Sequence, residues 1–350
     1  MSAFWEEGTG LDMEAYSDLT EDDEGSNWIK KAGSTSWATI GGDYHSTPAP
    51  IANTETDFDT GLENLEVNVT TIVDRWIAGT TTNYGFGIRL IGKSENWILE
   101  KSGVSERRIS KIDVDQMGAI AGKEALGNSG QPDLIINASG VPKQTIPDTS
   151  TFFQKEMGFE GIPSFSIHAT CLSFITAFHT ASSLIESKVY KRILIISSDR
   201  GTRGRNFREP ESASLLGDGA AAVVLEPSPE SENSKLLYFN MKTWPSGANL
   251  TEVRGGGTNK HPQDAYTTAE DNLFTMDGPG IYKIARKQVY KMMLKTLKNT
   301  GLEKKDINWI IPHQASRKAV DAYVSAGGFD KDRVIDIVST YGNCVAASVP

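Results

Sequence analysis

From residue 93 onward, short apolar runs alternate with longer stretches in which apolar residues recur every three or four positions, and that rhythm limits what the chain can fold into. Leu134-Ile135-Ile136-Asn137-Ala138, Arg192-Ile193-Leu194-Ile195-Ile196-Ser197 and 220–225 are too evenly apolar for strands with one wet face. They read as strands covered on both sides. Helical patterns lie between them at 150–157 and 172–187, the second carrying Phe174, Ile175, Ala177, Phe178, Ala181, Leu184 and Ile185. Apolar strands that alternate with amphipathic helices argue for parallel βαβ units, so an α/β fold is expected. Ser164-Phe165-Ser166-Ile167 reads as a strand running up to Cys171. Farther on, 281–300 predicts a long amphipathic helix. Ile307-Asn308-Trp309-Ile310-Ile311-Pro312 predicts a strand ending at His313, and 333–337 one more.

The first 92 residues have another texture. Residues 1–26 are acidic and unpatterned, with Glu21-Asp22-Asp23-Glu24 as the densest run, and read as a solvated end. Residues 27–92 read as a β-rich module: Leu65-Glu66-Val67-Asn68-Val69 alternates, 70–77 fits a short helix with Trp76 inward, and 84–90 fits another strand. Charge divides the same way. Residues 1–90 hold 16 acids and 4 bases, whereas the rest of the 350-residue chain is close to neutral. Phosphate binding needs a basic face, so nucleic acid is not expected as a partner. A local basic patch for an acidic carrier protein or a coenzyme A nucleotide remains compatible. No apolar run is long enough to span a membrane, the N-terminus does not pattern as a signal peptide, and a cytoplasmic location is expected. Two distant cysteines make no disulfide framework, and no Cys/His set has zinc-ligand spacing.

Three residues are candidates for chemistry. Cys171 stands where a strand gives way to a helix, and the helix dipole there favours thiolate. His313 follows a buried strand and a proline, at the kind of sheet edge where ligands bind. Asn343 lies beside a glycine in Tyr341-Gly342-Asn343-Cys344. Taken singly, Cys171 and His313 read first as structural residues, a buried cysteine and a satisfied polar histidine, and Asn343 reads as a turn asparagine.

The local strings change that. Ala169-Thr170-Cys171-Leu172-Ser173-Phe174, Leu216-Gly217-Asp218-Gly219-Ala220-Ala221, Pro312-His313-Gln314-Ala315 and Gly342-Asn343-Cys344-Val345-Ala346-Ala347-Ser348-Val349-Pro350 occur in this order. Together they resemble β-ketoacyl-acyl-carrier-protein synthase III and its relatives in the thiolase superfamily, over residues 94–350. Asn96-Trp97-Ile98, 102–109 and Thr275-Met276-Asp277-Gly278 add to the likeness. The resemblance implies a layered αβαβα fold whose halves are 93–228, with the nucleophile, and 229–350, with His313 and Asn343. It implies an acyltransferase without a cofactor: Cys171 takes an acyl group from acyl-CoA, then malonyl-acyl-carrier protein decarboxylates and attacks. His313 and Asn343 would stabilise the enolate by hydrogen bonds. It further implies a homodimer joined edge to edge through the strand near 164–167. Substrate-side positions follow on the same warrant: Trp97 against adenine, Lys101, Arg317 and Lys318 near phosphates, and Ile146 at the acyl pocket.

Two departures qualify the likeness. Residues 65–90 resemble instead the DNRLRE-type β modules of surface and phage structural proteins, on Val67-Asn68-Val69-Thr70, Val73, Trp76 and Asn83-Tyr84-Gly85. The chain also stops at Pro350, where the family continues into further strands and a glycine-rich loop. An enzyme incomplete at both ends, aggregation-prone or weakly active, is the expectation. The alternatives are a non-decarboxylating acyltransferase with the same three residues, and a structural or glycan-binding protein acting through 27–92.

Overall fold

The computed structural model describes residues 30–32, 35–36, 99–100 and 102–350. The elements expected at 65–69, 70–77 and 84–90, and with them Trp97 and Lys101, lie outside the described residues. The chain divides into two units at Gly92 and Lys93. In the first, β1 (Lys30–Ala32) pairs antiparallel with β2 (Thr35–Ser36), Lys30 opposite Ser36 and Ala32 opposite Thr35.

The second unit opens with α1 (Val114–Leu126), β3 (Leu134–Asn137), α2 (Thr149–Met157), β4 (Ser164–Ser166), α3 (Ser173–Glu186) and β5 (Ile193–Arg200). A short α4 (Pro210–Ala213) leads to β6 (Asp218–Leu225). The four strands form one sheet in the order β4-β3-β5-β6, parallel except for the antiparallel β5–β6 pair. Strand alternation assigns the two faces. Ile135, Leu194 and Ile196 pack with Ala119, Leu126, Phe153 and Met157 of α1 and α2. Leu134, Ile136, Ile193 and Ile195 pack with Phe174, Ala177 and Ala181 of α3. All seven strand residues are 0% exposed. Each such side chain stabilises the fold by about 1.5–3 kcal/mol, so this three-layer core dominates the unit. The helices end where their sequences direct: Asp148 caps α2 by accepting from Ser150 N, and Gly158 closes it at φ 75°.

The later elements are β7 (Thr251–Glu252), β8 (Thr275–Met276), α5 (Gly278–Thr300), α6 (Arg317–Ser325) and α7 (Val338–Tyr341). Val104, Leu215, Val320, Phe329, Val334 and Val338 form their buried centre. The strands expected at 307–312 and 333–337 do not form. These segments meet in one parallel bridge, Ile310 to Val334, held by Ile310 N to Arg333 O (2.8 Å) and Ile335 N to Ile310 O (2.9 Å). An apolar run becomes a strand when neighbours pair with it along its length. Here Trp309 and Ile311 stay 62% and 55% exposed, and the ladder ends after one rung. Among the described residues, no helix is long and apolar enough to cross a membrane.

Candidate active site

Cys171 sits in a tight turn, Thr170–Leu172, that opens directly into α3. Ser173 locks the turn: its Oγ accepts from Ala169 N at 2.9 Å and donates to Thr170 O at 2.7 Å. Thr170 has φ 52°, left-handed backbone that a β-branched residue rarely adopts. The thiol is half-buried above the helix N-terminus. Thiolate is nevertheless disfavoured: burial first, and then the charge of Asp199, push the thiol up to about 11. A helix terminus supplies at most about 2 kcal/mol toward an anion, and desolvation with a nearby carboxylate outweighs it.

Asn343 is held by its backbone against the Gly-Asp-Gly string. Its N–H donates to Leu215 O at 2.6 Å, and its carbonyl accepts from Gly217 N at 3.0 Å. The glycines make room for this crossing. A Cβ on Gly217 would lie 2.2 Å from Tyr341 O, and one on Gly219 would lie 3.1 Å from Cys344 Sγ. Asp218 between them is buried, accepting from Ser110 N (2.8 Å), Thr202 N (3.0 Å) and Thr202 Oγ1 (2.9 Å). The string is therefore a seat for the Asn343 segment. The carboxamide is oriented as well: Oδ1 accepts from Val345 N at 2.9 Å. An N–H must meet an oxygen, which fixes Nδ2 on the other side. Among the described residues, Nδ2 donates to no acceptor.

The turn that follows, Val345–Ser348, packs against the Cys171 turn and against the end of β5. Val345 matches Thr170 in having φ 52°. Two β-branched residues in left-handed backbone, in facing turns, cost on the order of 1–3 kcal/mol each, and such strain persists where surrounding contacts enforce it. The turn that carries Cys171 thus packs against the turn that follows Asn343.

His313 follows the extended 310–312 segment. It is half-buried, its Nδ1 is buried without a partner, and burial pulls its pKa down to about 4. The imidazole is neutral near pH 7. Gln314 beside it, absent from the sequence-based site, ties the segment that carries His313 to the start of α7. It is 1% exposed and uses both ends of its amide. Nε2 donates to Pro312 O (2.9 Å) and Ile335 O (3.1 Å); Oε1 accepts from Ile337 N (3.0 Å) and Val338 N (3.1 Å). Those last two amides begin α7, which leads straight to Asn343. The one available signal was its place beside the histidine in Pro312-His313-Gln314-Ala315.

The remaining candidates are placed as follows. Ile146 is 80% exposed on a loop anchored by a Lys143–Asp115 ion pair and by Lys143 N to Thr149 Oγ1 at 2.9 Å. Arg317 packs against Gly103 and is committed to Asp336 (2.9 Å) and Asp321 (3.2 Å). Lys318 is exposed and, among the described residues, forms no ion pair. On α5, Lys283, Lys287 and Lys291 form an exposed stripe at four-residue spacing, flanked by exposed Tyr282 and Tyr290.

Residues 165–245 match the family described as 3-oxoacyl-[acyl-carrier-protein (ACP)] synthase III, and residues 297–350 match its C-terminal part. The β-ketoacyl-[acyl-carrier-protein] synthase III of Neisseria meningitidis serogroup B is 31% identical over 268 residues, 74% of this chain and 81% of the relative. That of Chlamydia pneumoniae is 28% identical over 269 residues, covering 75% and 79%. The crystal structure of 3-oxoacyl-[acyl-carrier-protein] synthase III from Aquifex aeolicus superposes with a TM-score of 0.65 at 28% identity, over 74% of this chain and 80% of that one. With both halves of its second unit matched, and with the layered thiolase fold of those relatives, the chain belongs to the 3-oxoacyl-[acyl-carrier-protein] synthase III family.

Proposed function

We propose that the chain is an acyl-condensing transferase of fatty acid or related biosynthesis, with Cys171 as nucleophile and His313 and Asn343 as enolate-stabilising donors. In the first half-reaction, Cys171 Sγ attacks the carbonyl of acyl-CoA. The carbon–sulfur bond to coenzyme A breaks, and the thiol proton leaves with the coenzyme A thiol. Thiolate is a good nucleophile and a good leaving group, which is why sulfur suits both halves of the cycle. In the second, malonyl-carrier protein loses carbon dioxide, and the electron pair of that bond becomes an enolate. The enolate carbon attacks the Cys171 thioester, the carbon–sulfur bond breaks, and Sγ regains a proton from water. The product is a 3-oxoacyl-carrier protein.

The state of the two donors supports this reading most directly. An imidazole near 4 is neutral at working pH and offers Nε2–H without acting as a base. The Asn343 oxygen is occupied by Val345 N–H, so Nδ2 is the end left for a ligand. Neutral hydrogen-bond donors stabilise charge that develops on oxygen, and carbon–carbon bond formation by decarboxylation needs no general base. The Lys283, Lys287 and Lys291 stripe on α5 suits an acidic carrier protein. Arg317 is engaged by two carboxylates, so of the two described candidates, Arg317 and Lys318, the second suits a coenzyme A phosphate better. Strand β4 ends its sheet, and an exposed Ile146 on a braced loop suits a homodimer joined there. Such an enzyme acts in the cytoplasm, with its thioester substrates.

The test is a trap and chase. Labelled acyl-CoA is incubated with the chain, the label is located at Cys171 by peptide mass, and malonyl-carrier protein is then added. Transfer of label into 3-oxoacyl-carrier protein is the expected result. Stable acylation that malonyl-carrier protein never discharges would point to a non-decarboxylating acyltransferase instead.

A further inference from the structure

We propose that Asp199 is a positioning residue of this site, holding the turns beside Cys171 and thereby aiming the Asn343 carboxamide; the proposal rests on the reading of the site given above. Asp199 ends the buried part of β5 and is 0% exposed. Its Oδ1 accepts from Gly140 N at 2.8 Å and Val141 N at 2.9 Å. Its Oδ2 accepts from Ala346 N at 3.1 Å, and the Ala347 amide donates to the same carboxylate. One carboxylate therefore ties the loop after β3 to the turn after Asn343. Both flank the nucleophile. A Cβ on Gly140 would stand 3.5 Å from Thr170 O and 2.4 Å from Val345 Cγ1.

Strain makes the tie consequential. Val345 is held in left-handed backbone, and the two amides that follow it are the ones Asp199 takes. Val345's own N–H goes to Asn343 Oδ1. A chain of bonds thus runs from Asp199 through the turn to the carboxamide. Among the described residues no cation pairs with Asp199, and a buried acid without one must be satisfied by hydrogen bonds. Its carboxyl is pushed up to about 6 by burial, against the pull of the four amides. The groups its charge faces are Cys171 and Cys344; Asp218, on β6, is the other acid acting on Cys344.

The test uses the full chain and Asp199→Asn, which keeps the shape and removes the charge. The first readout is the pH midpoint of Cys171 alkylation by iodoacetamide. It is expected to fall by about one unit, because a like charge near the thiolate is gone. Ile195→Ala, which loosens the same strand from its core, should leave the midpoint in place. The second readout is the pair of half-reactions. Condensation is expected to fall at least about tenfold with acyl transfer to Cys171 not reduced, and adding Asn343→Ala should cost nothing beyond Asn343→Ala alone. An unmoved midpoint, an equal fall in Ile195→Ala, or losses that multiply in the double variant would each overturn the proposal. If Asp199→Asn does not fold, hydrogen exchange in the unsubstituted chain decides. The amides of Gly140, Val141, Ala346 and Ala347 should open together, and independent opening overturns it. A chain that never condenses refutes the function while the alkylation and exchange arms still judge Asp199.

Discussion

Replacing Gln314 by leucine tests how His313 and Asn343 are held in one frame. The side chain is 1% exposed and bonds two carbonyls and two amides. Leucine fills the space and satisfies none of them. The bonds to Pro312 O and Val338 N are fully buried, and stranding each group costs about 1–3 kcal/mol. The other two are part-buried, where water recovers some of the loss. Allowing about 1 kcal/mol for the added apolar burial, the net cost is about 3–5 kcal/mol. Urea unfolding followed by circular dichroism reads this. Gln314→Glu adds a control: at pH 8 its carboxylate faces two carbonyls, and at pH 5 a proton restores one donor. The glutamate variant should therefore recover stability on acidification, while the leucine variant should not. Acyl transfer to Cys171 should survive in both better than condensation does. A leucine variant within about 1 kcal/mol of the parent would refute the argument, because it would mean that water takes over these four groups once the amide is gone.

Further outcomes follow from the same geometry. Gly217→Ala places a methyl group 2.2 Å from Tyr341 O, so the Asn343 segment must move; a loss of about 1–3 kcal/mol in stability and a larger loss in condensation rate are expected. His313 titrates near 4 folded against 6.5 as a free group, so its contribution to stability is complete above 6.5 and disappears as pH falls through 4. Acid unfolding of His313→Gln, compared with the parent, should show a shallower slope in that window. Charge reversal of Lys283, Lys287 and Lys291 to glutamate should raise KM for malonyl-carrier protein at least about tenfold at low salt and leave acylation by acyl-CoA unchanged.

The layered core was legible in the sequence because its signals are local and mutually consistent. Leu134 through Ile136 and Ile193 through Ile196 are apolar on both faces and read as interior strands, and the pattern at 150–157 falls within the helix Thr149–Met157. The run at 307–312 looked the same, yet its fate depended on neighbours that a local pattern does not report. The thiol's ionisation was misjudged for a similar reason. The helix end beneath Cys171 is written beside it in the sequence, whereas the burial and the Asp199 carboxylate that outweigh it are not. Gln314 and Asp199 escaped notice because each works through backbone amides remote in sequence. Arg317, expected near phosphates, pairs with Asp321 and Asp336, the second of which is remote in sequence.

The central claim is that His313 and Asn343 serve the condensation step rather than the acylation of Cys171. Asn343→Ala, assayed separately in each half-reaction, tests it most directly. Acyl transfer from acyl-CoA to Cys171 should stay within about threefold of the parent, while condensation falls about a hundredfold for one lost donor. Equal loss in both half-reactions would contradict the account.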